Sequence, residues 1–210
     1  MPNTIYGTKN NDNAVLRNPT TFVYDALEGI DTLSLGTSKR SEYTIAHAAD
    51  GSYHVDSVSG ASALHATLYN VERLIFSDQK IALDLGVNGN AASVAKILGA
   101  VFGAAAVARP DYVGIGLSLL DSGNYTETSL LGYALDVALG PNASPQAVVD
   151  LLYYNLVGVK PDAQTEKSFV DLINNHTYTA ASLGDMAANL DLNKANIHLT
   201  GLQQTGLIYS

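Results

Sequence analysis

The feature that most limits the fold is a change of hydrophobic period in mid-chain. From the start to about Asp84, apolar residues alternate with polar ones and are β-branched or aromatic, with Gly, Asn, Asp and Ser as punctuation. That is the pattern of short, half-buried strands. After Gly86-Val87-Asn88-Gly89-Asn90 the apolar residues recur at helical spacing over residues 92–102, 112–120, 128–139, 145–156, 163–174 and 182–190. Strands in one run followed by helices in another define an α+β protein. The expected architecture is a β-roll-like or small β-sheet N-terminal part, residues 1–86, packed on a helical bundle, residues 87–210, made of two related units.

Within the first part the clearest element is a hairpin. Residues 43–48 and 52–58 flank Asp50-Gly51, a pair that supplies the positive φ values of a two-residue turn. Such a turn sets His47 opposite His54 and Ile45 opposite Asp56. Further strands are expected over 63–68, 71–76 and 81–84. In the second part, Arg109-Pro110-Asp111 matches Lys160-Pro161-Asp162, while Asn124-Tyr125-Thr126 and Ser129-Leu130 match Thr177-Tyr178-Thr179 and Ser182-Leu183. Each unit reads as helix, basic-Pro-Asp turn, helix, polar turn, helix, and two copies bury a shared core. Ser144-Pro145, Thr126 and Thr179 or Ser182 carry helix-capping chemistry.

Charge and composition then remove whole classes of function. The 210 residues hold 20 acidic against 11 basic side chains, a net charge of -9, so a nucleic-acid partner bound through a basic patch is not expected. There are no cysteines, which removes disulfides, thiolate metal sites and thiol catalysis. The opening Met1-Pro2-Asn3-Thr4-Ile5 has neither a basic nor an apolar segment, so no cleavable signal peptide is expected. The longest apolar run, residues 100–108, is too short for a membrane span.

Two fragments of the first part resemble the glycine-and-aspartate nonapeptide of RTX (repeats-in-toxin, hemolysin-type calcium-binding) proteins. They are Gly7-Thr8-Lys9-Asn10-Asn11-Asp12-Asn13-Ala14-Val15-Leu16 and Glu28-Gly29-Ile30-Asp31-Thr32-Leu33-Ser34-Leu35, although no tandem Gly-Gly-x-Gly-x-Asp run appears. The later order Ser41-Glu42-Tyr43-Thr44-Ile45, then Asn70-Val71-Glu72-Arg73-Leu74-Ile75-Phe76-Ser77-Asp78, then Ile81-Ala82-Leu83-Asp84 is similar to a segment common in secreted bacterial RTX-type proteins. In those proteins a helical domain of unknown function follows, and Gly89-Asn90-Ala91, the two basic-Pro-Asp turns and the tail from Asn193 to Tyr209 resemble it. The first unit carries Tyr112-Val113-Gly114-Ile115-Gly116 beside its turn; the second has no equivalent. The resemblance implies type I secretion, a secreted or cell-surface location and stacked turns whose aspartates give oxygens to Ca²⁺.

The candidate ligands are Asp12 with Asn10, Asp31, Asp78, and Asp84 with Asn88, all in expected turns at strand edges, where six to eight oxygens could surround the ion. No segment has the EF-hand spacing. His47, His54 and Asp56 form an incomplete metal set on the hairpin, and His65, His176 and His198 have no partner visible in sequence. Ser93-Val94-Ala95-Lys96 matches Ser-x-x-Lys without the companion motifs of the enzymes that use it, and reads as a helix-start serine with a surface lysine. Twelve tyrosines and no tryptophan favour packing and interface roles. The leading expectation is a non-enzymatic, calcium-associated structural or adhesive module, with self-association or a cell-surface polymer as its partner. The alternatives are a metal-independent, self-associating surface-layer or matrix component and a small hydrolase or lyase acting on extracellular polymer.

Overall fold

A computed structural model of the chain describes residues 3–16, 21–58 and 64–210. Among these residues there are ten strands and eight α-helices in an α+β arrangement. The chain divides into two compact units, one running to Val87 and rejoined by Gly201–Ser210, the other Asn88–Thr200. The tail, assigned on sequence to the helical domain, therefore belongs to the β unit.

The strands are β1 (Asn3–Tyr6), β2 (Asn13–Val15), β3 (Thr21–Asp25), β4 (Thr32–Ser34), β5 (Tyr43–His47), β6 (Tyr53–Ser57), β7 (His65–Tyr69), β8 (Arg73–Ile75), β9 (Lys80–Ala82) and β10 (Leu207–Tyr209). They form two five-stranded sheets, ordered β1-β3-β7-β6-β5 and β10-β9-β8-β4-β2. The pairs β1-β2, β3-β4 and β7-β8 each give one strand to each sheet. They stack in parallel and in register, so these six strands form a coil of three turns. Side chains alternate faces along a strand, so in-register stacking makes apolar columns. Ile5 pairs with Tyr24 and Tyr24 with Leu68, while Ala14 pairs with Leu33 and Leu33 with Leu74. Phe22, Tyr24, Leu33, Leu68 and Leu74 belong to one buried cluster. Antiparallel strands end the stack on one side: β6 and β5 beside β7, β9 and β10 beside β8.

The hairpin exists, but its register differs from the expected one. Ile45 faces Val55, Ala46 faces His54 and His47 faces Tyr53. Ala48 N–H donates to the Ser52 carbonyl at 2.8 Å, and Gly51 has φ 88°, so the loop holds three residues, not two. A one-residue slip sends every side chain to the other face, and His47 and His54 are thereby separated. The expected strand over 63–68 begins at a residue outside the described set; its described part is β7.

The helices are α1 (Asn90–Phe102), α2 (Pro110–Asp121), α3 (Glu127–Leu139), α4 (Pro145–Val157), α5 (Ala163–Asn174), α6 (Ala180–Asn189), α7 (Asp191–Asn196) and α8 (Leu199–Thr205). Helix α1 is apolar nearly all round, the mark of a core helix, and packs on α2, α3, α4, α6 and α7. The sequence α1-α2-α3 is repeated as α4-α5-α6. Thr126 and Thr179 open α3 and α6 with the same reciprocal capping box, to Ser129 and Ser182. The two basic-Pro-Asp triplets serve different ends. Pro110 is the first residue of α2, with Arg109 paired to Asp111 at 2.8 Å, whereas Asp162 is the cap of α5 and accepts from Thr165 N–H at 2.8 Å. The second triplet thus sits two residues earlier relative to its helix.

Candidate cation site on the turn edge of the β unit

The three coil turns bring carboxylates into a ladder along one edge of the β unit. Asp12 and Asp31 occupy equivalent places in adjacent turns, 19 residues apart, and Asp31 Oδ1 accepts from Asp12 N–H at 2.7 Å. Glu72, in the third turn, repeats the contact: its Oε2 accepts from Asp31 N–H at 2.8 Å. Backbone bonds run beside these, from Thr32 N–H to the Asp12 carbonyl at 2.8 Å and from Arg73 N–H to the Asp31 carbonyl at 2.9 Å. Asn11 Oδ1 accepts from Ile30 N–H at 2.9 Å. The ladder needs close backbone approach at Gly7, where a β-carbon would lie 2.6 Å from the Ala26 carbonyl oxygen and 2.7 Å from Asp12 Oδ2. Gly29, at φ 144°, meets the same demand: its β-carbon would fall 3.0 Å from both the Asn10 carbonyl oxygen and Asp31 Oδ1.

Asp31 is fully buried, at 0% exposure, and its Oδ2 has no hydrogen-bond partner. A buried acceptor left unmet costs about 1–3 kcal/mol, more when charged. Burial pushes the Asp31 carboxyl above the usual range, the Asp12 N–H pulls it back, and the charge of Asp12 adds to the rise. Glu72 is pushed up to about 7, first by burial, with the Asp31 N–H pulling it back and the charges of Asp84 and Asp31 raising it further. Tyr24 beneath the turns is also raised, by burial and then by Asp12 and Asp31. This edge is electron-rich, desolvated and one partner short.

The four expected ligands do not come together. Asp12 and Asp31 are neighbours in the ladder. Asp84 is taken by Arg73, whose Nη1 lies 2.5 Å from its Oδ1 in a buried ion pair. Asp78 sits at the far end of β8 and accepts from Arg40 N–H at 2.9 Å. Among the described residues no three His, Asp or Glu side chains converge as a metal-holding group. Asp12 already accepts from Thr8 N–H at 2.5 Å and from the Thr8 hydroxyl at 3.1 Å, which leaves Asp31 Oδ2 as the unmet oxygen of the pair. Glu72 and Arg73 escaped the sequence reading, because the third turn is too short to show the repeat.

The histidines divide between faces. His65 Nδ1 lies 2.9 Å from Asp56 Oδ1, a pair the sequence did not disclose, and His54 Nδ1 lies 3.3 Å from Thr67 Oγ1. His47 stacks on Tyr53 on the other side, with ring centroids 4.7 Å apart. In the helical unit, Ser93 Oγ donates to Glu127 Oε2 at 3.0 Å, while Lys96 Nζ reaches Asn189 Oδ1 at 2.7 Å. Lys96 Nζ is also 3.0 Å from Glu127 Oε1, an ion pair by distance though not aligned as a hydrogen bond. The Ser-x-x-Lys pair is thus spent on tying α1 to α3 and α6.

Two apolar grooves occupy equivalent places in the helical repeat. One, about 190 Å³, is lined by Val94, Ile97, Phe102, Tyr133, Ala134 and Val137, among others; its counterpart, about 130 Å³, by Val149, Leu152, Val157, Met186, Ala187 and Leu190. Neither is lined by a carboxylate or a histidine. No helix among the described residues is long and apolar enough to cross a membrane. The chain matches no protein-family model, no curated protein and no solved structure.

Proposed function

We propose that the chain is a non-enzymatic structural or adhesive module of a secreted or cell-surface bacterial protein of the RTX type, whose coil of strands is tightened by Ca²⁺ at Asp31 and Asp12. The observation that carries this reading is the fully buried Asp31 carboxylate with one oxygen unpartnered, set beside Asp12 in stacked glycine-bearing turns. A hard divalent cation satisfies such an oxygen and offsets the charge of the paired aspartates. Its partner is then a second copy or a cell-surface polymer, and binding rests on surface rather than on a catalytic pocket.

Thermal unfolding of metal-stripped protein in Ca²⁺, in Mg²⁺ and in EDTA tests this reading, because a ligand that binds only the folded state raises the midpoint. The expected result is a Ca²⁺-selective rise that vanishes in Asp31→Asn, a variant that keeps the acceptor for Asp12 N–H and removes the charge. No rise in millimolar Ca²⁺, or an equal rise in Asp31→Asn, removes the cation from the account.

A further inference from the structure

We infer that Asn175, in the loop between α5 and α6, is an acceptor for an N-linked sugar. The triplet Asn-x-Ser/Thr, with x other than proline, marks such acceptors, and it occurs three times among the described residues. The three are Asn124-Tyr125-Thr126, Asn142-Ala143-Ser144 and Asn175-His176-Thr177. All three asparagines are exposed, the first two in the loops before α3 and α4, the last at the end of α5. What separates them is the duty of the hydroxyl two residues on. Thr126 and Ser144 are spent on helix caps. Thr126 Oγ1 accepts from Ser129 N–H and donates to Ser129 Oγ, both at 3.2 Å, while Ser144 Oγ accepts from Ala147 N–H at 3.2 Å. Among the described residues no hydrogen bond joins either hydroxyl to its own asparagine.

Thr177 is free of that duty, because Thr179 is the cap of α6. Its hydroxyl donates to Asn175 Oδ1 at 2.7 Å, and its N–H donates to the same oxygen at 3.2 Å. Asn175 closes α5, and His176 follows in the left-handed region at φ 61°, so the chain turns sharply with residues 174–177 exposed. Asn175 Nδ2 makes no hydrogen bond among the described residues. An amide nitrogen is a poor nucleophile, because its lone pair is delocalised into the carbonyl. Two donors aimed at Oδ1 stabilise the negative charge that this oxygen takes up as Nδ2 gives away a proton, as they do for any developing oxyanion. Nδ2 then attacks C1 of an activated sugar. The N–C1 bond forms, the bond from C1 to a diphosphate leaving group breaks, and the proton passes to a base of the transferase. The chain is one substrate of that enzyme, and a sugar diphosphate carried on a nucleotide or a lipid is the other.

This rests on the reading of the chain as a secreted or cell-surface module, the setting in which such triplets are used. Its readout is a mass and that of the cation a thermal midpoint, so either can fail alone. The test is transfer to the folded, full chain by two transferases specific for Asn-x-Ser/Thr, one supplied with UDP-glucose and one with a lipid-linked sugar. Intact mass and peptide mapping count and place the sugars. The expected result is modification of Asn175 from at least one donor, which identifies the donor class, with Asn124 and Asn142 left bare. Asn175→Gln abolishes it. Thr177→Ala lowers the initial rate about tenfold or more, whereas Thr177→Ser, which keeps the hydroxyl, stays within about threefold of wild type. Circular dichroism and midpoint are unchanged in all three variants. No transfer to the folded chain from either donor, transfer that favours Asn124 or Asn142, or a wild-type rate in Thr177→Ala would overturn the inference.

Discussion

In the β unit the buried polar side chains include charged ones, Asp31 and Arg73, with Asp84 at the edge of burial; in the helical unit they are Ser93 and Asn193. Asn193 Nδ2 donates to the Lys96 and Ala188 carbonyls at 2.9 and 2.8 Å, and Asn155 and Asn196 similarly reach carbonyls of α1 and α4. A neutral amide in the interior costs little once its hydrogen bonds are made, while a buried charge needs a partner of opposite sign or a shifted protonation state. The helical unit also has a carboxylate oxygen without a partner, Asp150 Oδ1, but its side chain is only partly buried. The difference places the fully buried charges in the β unit, while in the helical unit burial and then the charge of Glu127 raise the partly buried Asp185.

The comparison breaks most readily at the ion pair. Asp84→Ala removes the carboxylate from the buried Arg73 pair and is expected to cost the β unit about 3–5 kcal/mol, read by urea denaturation. Asn193→Ala, which removes both amide hydrogen bonds, is expected to cost the helical unit about 1–3 kcal/mol. If the amide substitution costs more than the ionic one, the contrast fails. Next comes the repeat itself. Thr126→Ala and Thr179→Ala should each cost about 1 kcal/mol, and equal losses show that the two capping boxes do the same work; a large difference shows that one repeat leads.

A further contrast is a slope with pH. Glu72 moves from 4.5 in the unfolded chain to about 7 when folded, so the folded state holds the proton more tightly. Its contribution is fully present below 4.5 and is lost as pH rises through 7. Asp50 shifts the other way, down to about 2, through hydrogen bonds from Ser52 and Tyr69, so its contribution is lost only in stronger acid. In EDTA the midpoint is therefore expected to be higher at pH 5 than at pH 7.5, and Glu72→Gln should flatten the slope. A midpoint that rises from pH 5 to 7.5 contradicts the ladder's electrostatics.

Much of this was legible from residue order. The period change placed the strand-to-helix transition, and the Gly7–Asp12 and Gly29–Asp31 fragments placed the carboxylates at the stacked turns. The hairpin was visible through Asp50-Gly51, but that dipeptide suits a two-residue and a three-residue loop alike, and the choice decides which face His47 takes. Strand β10 was missed because its pairing with β9 joins residues more than a hundred positions apart, and three residues carry too little pattern. Arg73 was given no role on sequence; its burial follows from the approach of Asp84 across the β8–β9 turn.

Direct titration of metal-free protein with Ca²⁺ by calorimetry, repeated in buffers of different ionisation enthalpy, tests the central claim most directly. A cation at Asp31 displaces protons held on the raised carboxyls, so the account predicts one saturable site, release of protons that grows as pH falls below 7, and loss of the site in Asp31→Asn. Absence of saturable binding at millimolar Ca²⁺, or an unchanged isotherm in Asp31→Asn, would contradict it.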